Sequence, residues 1–406
     1  MTPTLRPAVI VDAVRSPMAK GRAPREDRPG GALSSLHPVD LLGQTLRALM
    51  DRVDVDPARV DDVLIGCVSQ AKEQAGPVGR FGWLAGGLPE HVPATTIDRR
   101  CGSAQQAAEF AAVGVMAGNY DIAVAGGVES MSRVPMLSAR MGADPYGPAV
   151  TERYAPGLVP QGVSAELIAA RFGIDREALD AYAARSHRLA SEADAAAEIV
   201  PIEVPGEGDG PRTVSVDETV RPDTTVESLA KLKPVFETEE MTARFPEIEW
   251  SITAGNSSQI TDGAAAALIM SEELAEELGL TPRARFHAFA VASDDPITML
   301  TGPIPATERI LERTGMSIED FDHIEINEAF ASVPLAWARH FGVPAEKVNP
   351  RGGAIALGHP LGASGGRLLT SMLCGLEQSG GRFGLQTMCE AGGMANATVI
   401  ERIQED

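Results

Sequence analysis

Asp322-His323-Ile324-Glu325-Ile326-Asn327, followed thirty-two residues after Asn327 by His359-Pro360-Leu361-Gly362-Ala363-Ser364-Gly365, decides the fold, because an earlier part of the chain has the same plan. There, Asp61-Asp62-Val63-Leu64-Ile65-Gly66 precedes Cys101-Gly102-Ser103, with Cys101 thirty-five residues beyond Gly66. Each unit reads as an apolar strand, a loop that opens a helix, and a second apolar strand. That second strand is Ile122-Ala123-Val124-Ala125-Gly126-Gly127 in the first unit and Gly384-Leu385-Gln386-Thr387-Met388 in the second. Strands alternating with helices predict βαβ architecture. The scarcity of polar alternation within the strands predicts a sheet covered on both faces. A duplication would bring the two loop-to-helix junctions together across a pseudo-twofold, with Cys101 and His359 at matching ends.

Around this pair the rest of the chain falls into place. Ala8–Ala13 reads as an opening strand, Pro38–Met50 as a helix and Ala264–Met270 as an apolar strand. From about Glu129 to Ser251 the character changes: Met, Pro and Arg are scattered, an amphipathic helix is expected over Arg176–Ala197, and Pro205–Arg212 is polar and turn-rich. Residues 1–275 are therefore expected to form a first half carrying an inserted loop domain over about 129–251, and residues 276–406 a second half.

Composition narrows the function. The 406 residues are 44% hydrophobic and 22% charged, with a formal net charge of −21. Such a chain builds a substantial core, and its charge opposes general attraction to nucleic acid or anionic lipid. No stretch approaches the roughly 18 to 20 apolar residues that span a bilayer, and the N-terminal sequence lacks a secretory apolar region, so a cytoplasmic protein is expected. The four cysteines (Cys67, Cys101, Cys374, Cys389) form no CxxC pair, and the seven histidines form no ligand-spaced cluster. Neither a metal site nor a disulfide framework is signalled.

Cys101 stands between Arg99-Arg100 and a helix start, where free N–H groups and the helix dipole favour a thiolate. The alternative for any isolated cysteine is a small core residue, and that reading is preferred for Cys67, expected inside the strand Val63–Val68, and Cys374, expected inside a helix. His359 lies in a glycine-rich loop that has neither GxGxxG nor a GKS/GKT ending, which weakens a nucleotide-binding reading. Its unperturbed pKa near neutrality suits it to take a thiol proton or orient a substrate oxygen. Cys389 is expected to close the last apolar strand beside Glu390-Ala391-Gly392-Gly393, at a backbone turn able to hold an anion. Asn327, in Asn327-Glu328-Ala329-Phe330, ends a strand and is placed to hold a water or an oxyanion.

Cys101-Gly102-Ser103, Asn327-Glu328-Ala329-Phe330, Gly358-His359-Pro360-Leu361-Gly362-Ala363-Ser364-Gly365 and Cys389 with its glycine turn, in that order across essentially the whole chain, resemble the thiolase family. Thr95–Gln106 is most similar to degradative acyl-CoA thiolases of actinobacterial type. The resemblance implies an α/β fold of two βαβαβαββ halves in a five-layer α/β/α/β/α sandwich with an inserted loop domain. It implies Cys101 as the acylated nucleophile, His359 as its activator, Cys389 as the acid/base, and Asn327 as the holder of an oxyanion-hole water. The N–H groups of Cys101 and Ala391 would supply a second oxyanion hole. Ala391 departs from the family's Cys-x-Gly-Gly-Gly turn, and an alanine would be strained if that position needed a positive φ. Coenzyme A is implied as a substrate rather than a resident cofactor, against Arg221, Ala254 and Ser258, with Lys231 and Lys233 as local offsets for its phosphates. The acyl pocket would involve Gln161, Met299 and Phe330. Gln161 replaces a methionine of the acetyl-specific branch, which points to acyl chains longer than acetoacetyl. The expected reaction is cleavage of 3-ketoacyl-CoA by CoA to acetyl-CoA and a shortened acyl-CoA, in fatty-acid or sterol side-chain β-oxidation. Its alternatives are an acetyl-CoA C-acetyltransferase and, in a different class, a non-catalytic lipid carrier. A homodimer or homotetramer is implied.

Overall fold

The computed structural model describes residues 5–206 and 210–403. Of the polar segment Pro205–Arg212, residues 207–209 lie outside the described residues, as do 1–4 and 404–406 of the two terminal halves. The first half runs β1 (Ala8–Arg15), α1 (Pro38–Arg52), β2 (Asp62–Gly66), α2 (Val78–Ala85), β3 (Ala94–Ile97), α3 (Ser103–Met116), β4 (Ile122–Ser130) and, after the insertion, β5 (Thr261–Ser271). The insertion contains two main helices, α4 (Gln161–Phe172) and α5 (Arg176–Glu192). The second half runs β6 (Ala284–Ser293), α6 (Pro303–Thr314), β7 (His323–Ile326), α7 (Ser332–Phe341), the single-turn α8 (Ala354–Leu357), α9 (Ser364–Ser379), β8 (Phe383–Glu390) and β9 (Met394–Arg402).

The halves mirror each other. Nine strands form one ladder in the order β3-β2-β4-β5-β1-β6-β9-β8-β7, with Ala19–Lys20 pairing beside β5. β2 is parallel to β3 and β4, as β7 is to β8. Val348 makes a parallel bridge to Ile324 where the first half has β3. β1 and β6 meet through only two residue pairs, so the two halves of the ladder join at one corner. α1 and α2 cover the first half, and α6 covers the second with α7 packed beyond it on α4. α3 and α9 lie between, against each other and against strands of both halves. This is the five-layer order, and the composition of α3 explains its place: Ala104, Ala107, Ala108, Ala111 and Ala112 are all buried, and a helix of small apolar residues lets two sheets approach it.

The repeat has an internal register. Asp61 accepts from the N–H groups of Asp121 and Ile122, and Asp322 accepts from those of Arg382 and Phe383. The constant offset that carries Asp61 to Asp322 and Ile122 to Phe383 also carries Ser103, which opens α3, to Ser364, which opens α9. Three sequence expectations change here. Cys101 matches Gly362 rather than His359, which stands three residues earlier. Cys389 lies inside β8 and is not in the last strand, because β9 follows across the turn 391–393. Cys67 lies just past β2 rather than in it.

Candidate active site

The two helix starts meet as the repeat predicts. A Cβ added at Gly66 or Gly127 would collide with the Gly362 carbonyl, and one at Gly365 with the backbone N of Gln105. The His359 loop is therefore pressed onto the first turn of α3. Gln105 donates to Thr398 Oγ1 at 2.9 Å, and Gln386 donates to the Gly365 carbonyl at 2.8 Å, fastening α3, α9 and the second half together.

His359 is held from every side. Gly358 enters at φ +92, with Thr261 Oγ1 only 2.1 Å from where a Cβ would stand, so the approach requires glycine. The His359 N–H bonds to Thr261 Oγ1 and to the Gln259 carbonyl. Nδ1 lies 2.5 Å from Ser364 Oγ, which itself donates to the Pro360 carbonyl. Ser364 has one hydroxyl proton, so Nδ1–H must donate to it and the lone pair is left on Nε2. That lone pair faces Asn327 Nδ2 at 3.3 Å. Burial and the Arg367 charge lower the histidine to about 3, so it is neutral at physiological pH.

Asn327 follows β7 and is fully buried, and its Oδ1 has no partner among the described residues. Cys389 Sγ lies 4.0 Å from the Asn327 carbonyl, and burial pushes its thiol up to about 12. Cys101 is also buried. Burial, then Cys389 and Glu390, push its thiol well above the ordinary value, against smaller lowering contributions from its own N–H and Arg100. The thiolate-favouring helix start expected from sequence is thus outweighed, since α3 proper begins at Ser103 and desolvation dominates. Arg100 precedes the cysteine at φ 49, an uncommon conformation for a side-chain-bearing residue. Ala391 is not among the positive-φ residues, whereas Gly392 (φ 93) and Gly393 (φ 84) are. The turn therefore takes the alanine without strain.

The other expected residues divide. Ser258 donates its N–H to the Ala329 carbonyl and Ser257 bridges Phe330, so this strip runs beside Asn327. Ala254 is exposed. Arg221 is exposed and bonds Gln259 Oε1 at 3.0 Å, one residue's reach from the His359 loop, while Lys231 and Lys233 are exposed without ion pairs among the described residues. Gln161 opens α4. The next residue, Gly162, abuts the Phe236 ring, which meets Phe330 edge-on at 6.0 Å. Met299 is buried in the same cluster as Phe330, on a loop tied to α4 by Ser164 Oγ donating to the Ile297 carbonyl.

Sequence reasoning missed several supports. Glu328 accepts from Tyr182, Ser186, Asn349 and the Ile355 N–H, bolting α5 to the segment before His359. Phe236, one of seven aromatic residues in the insertion, carried no signal. Glu390 was quoted without a role, although Val128-Glu129 and Cys389-Glu390 lie at the repeat offset and thus offered one.

Comparisons with known proteins give the family and the fold. Family models described as "Thiolase, N-terminal domain" and "Thiolase, C-terminal domain" match residues 8–273 and 280–402. The chain is 45% identical to the steroid 3-ketoacyl-CoA thiolase FadA6 of Mycobacterium tuberculosis, over 98% of this chain and 94% of that protein. It is 44% identical to the 3-ketoacyl-CoA thiolase of Marinobacter nauticus, over 98% and 99%. Among solved structures, the Bacillus anthracis acetyl-CoA acetyltransferase superposes with a TM-score of 0.86 at 36% identity, covering 98% of this chain and all of that one.

Proposed function

The chain belongs to the thiolase family, and from that premise we propose that it is an acyltransferase cleaving 3-ketoacyl-CoA with CoA through an acyl-Cys101 intermediate. The observation that carries the residue roles is the convergence of a neutral His359 whose Nε2 keeps its lone pair toward Asn327 Nδ2, an Asn327 Oδ1 with no partner among the described residues, and two thiols close enough for Cys389 to raise Cys101.

The steps follow from the protonation states. His359 Nε2 takes the Cys101 proton, and the sulfur attacks the 3-keto carbon. The bond between the α- and β-carbons breaks, and its electron pair leaves on the α-carbon of acetyl-CoA. Cys389, protonated at rest, gives that carbon its proton. The resulting Cys389 thiolate deprotonates incoming CoA, whose sulfur attacks the acyl-Cys101 carbonyl. Acyl-CoA departs and Cys101 recovers its proton from His359. Asn327, through a bound water, and the N–H groups of Cys101 and Ala391 stabilise the oxyanions.

In this reading CoA lies along Ser258 and Ala254 with Arg221 toward its adenine end, and the acyl chain lies among Gln161, Phe236, Met299 and Phe330. The working assembly is a homodimer or homotetramer in the cytoplasm. Among the described residues no helix is long and apolar enough to cross a membrane.

Intact mass after incubation with an acyl-CoA tests the core of the reading: a single acyl adduct is expected, absent in Cys101→Ser. An adduct on Cys67 or Cys374 instead would refute the assignment. Cys389→Ala should cut turnover by roughly 10²- to 10⁴-fold while CoA still binds. A kcat/KM for 3-ketooctanoyl-CoA above that for acetoacetyl-CoA is expected, and the reverse order would favour the acetyl-CoA C-acetyltransferase alternative.

A further inference from the structure

Glu390 ends β8, directly after Cys389, and is fully buried. Its carboxyl presses on the turn that carries the nucleophile. A Cβ added to Gly102 would stand 2.0 Å from Glu390 Oε1 and 2.9 Å from Asn396 Nδ2, so both side chains crowd one point above Gly102. Asn396 uses that amide to bond the Gly102 carbonyl. Both oxygens of Glu390, together with Asn396 Oδ1 and Gln106 Oε1, have no partner among the described residues.

The repeat supplies a control. The offset that relates the two halves carries Val128-Glu129 onto Cys389-Glu390. Glu129, equally buried, accepts from the Val68, Ser69 and Gly362 N–H groups and from Gln74 Nε2. Gly362 is the counterpart of Cys101. The first half thus uses this carboxylate to tie down a turn, whereas the second half leaves it without a donor against the reacting cysteine. A buried carboxylate without donors is disfavoured in its charged form.

We infer that Glu390 is a positioning residue for the Cys101 nucleophile: its carboxyl, uncharged in the resting enzyme, packs on the Cys101–Gly102 turn, and its ionisation sets a competing negative charge beside the thiolate. The inference rests on the reading of Cys101 as nucleophile. The charged and titratable groups around it are Asp98, Arg99 and Arg100 on the loop before α3, Glu109 on α3 with Arg313 of α6 acting on it, and the two thiols. Burial pushes Glu390 up to about 8; Arg99 opposes this, and Glu109 and Asp98 add to it. A raised carboxyl is neutral below that pH and charged above it, so it opposes thiolate formation only on the alkaline side.

The test is the pH dependence of kcat/KM for the acylation half-reaction, read as the acyl adduct on Cys101, in wild type and E390Q. One pH unit above its pKa a carboxyl is about nine-tenths ionised, so the ratio of rates at about pH 9 to about pH 7 should be up to roughly tenfold higher in E390Q. Superimposable profiles would overturn the inference. A second measurement needs no variant: iodoacetamide alkylation of wild-type Cys101 should flatten near pH 8 before the thiol's own titration. A single inflection would overturn it. If wild type forms no adduct on Cys101, the nucleophile reading falls and this inference with it; an adduct with matching profiles removes only the role of Glu390.

Discussion

Val128-Glu129 and Cys389-Glu390 occupy the same corner in the two halves, at the ends of β4 and β8, yet one corner is saturated with hydrogen bonds and the other has almost none. Glu129 holds four donors between 2.9 and 3.0 Å, drawn from the loop after β2 and from the His359 loop. Glu390 holds none. The difference teaches that the duplication was put to two uses: the first-half carboxylate is the vice that grips the His359 loop, and the second-half carboxylate is left open against the first-half turn that carries Cys101. Preorganisation at an active site needs both, because unpaired groups persist only where their surroundings are over-determined.

Breaking the vice should give the largest change. Glu129→Ala strands three backbone N–H groups and Gln74 in a dry interior, and a loss of about 3 to 5 kcal/mol in urea unfolding is expected. Glu390→Gln should fall within about 1 kcal/mol of wild type in the same measurement. Equal losses would erase the distinction between the corners.

Acid should sharpen it next. His359 binds its proton only near pH 3 when folded but near its ordinary value when unfolded. Between those limits the unfolded state carries more protons, so stability rises with pH there and falls as pH drops below about 6.5. The slope from this residue is about 1.4 kcal/mol per pH unit. His359→Gln should flatten the curve of unfolding free energy against pH by that amount, and an unchanged slope would mean that the ring is solvated. His187, lowered to about 4 by burial and Arg221, adds a similar slope that the variant retains.

The smallest effect belongs to the turn beyond Cys389. Because Ala391 lies outside the positive-φ region, Ala391→Gly should relieve nothing and should lower stability by no more than about 1 kcal/mol through added freedom in the unfolded chain. A several-fold gain in turnover would instead show that the alanine constrains the oxyanion turn.

Much of this was legible from sequence, for identifiable reasons. The apolar runs of β4 and β5 are long and carry few polar interruptions, and the short apolar stretches of β2 and β8 are bounded by turns, so strand position and the duplication could be read directly. Cys101, His359 and Cys389 sit beside glycine and small residues, which mark loops that approach a ligand, and Asn327 stands at the end of an apolar strand. What stayed hidden depended on contacts distant in the chain. The lowering of His359 comes from burial and Arg367, which lies on α9, and the raising of Cys101 outweighs its helix start only once the fold buries it, with Cys389 and Glu390 adding to that. The register of the repeat was also misjudged, because matching the two chemically interesting residues, Cys101 and His359, concealed the ungapped match of Cys101 with Gly362.

The two halves close the same strand pair very differently: β8 and β9 are joined by the turn 391–393, while β4 and β5, whose Ser130 and Asp262 stand side by side, are separated by the whole insertion. In folding, a tight hairpin closes in microseconds, whereas a pairing across more than a hundred residues must wait for the intervening chain to compact. The second half is thus the natural nucleus, and the first half completes its sheet only after α4 and α5 have docked. Amide protons of β8 and β9 should gain protection before those of β5 in pulse-labelling experiments. On this order the acid/base cysteine is in place while the nucleophile is still exposed, which leaves Cys101, with Cys67 of the same half, open to oxidation in a newly made chain for longer than Cys374 and Cys389.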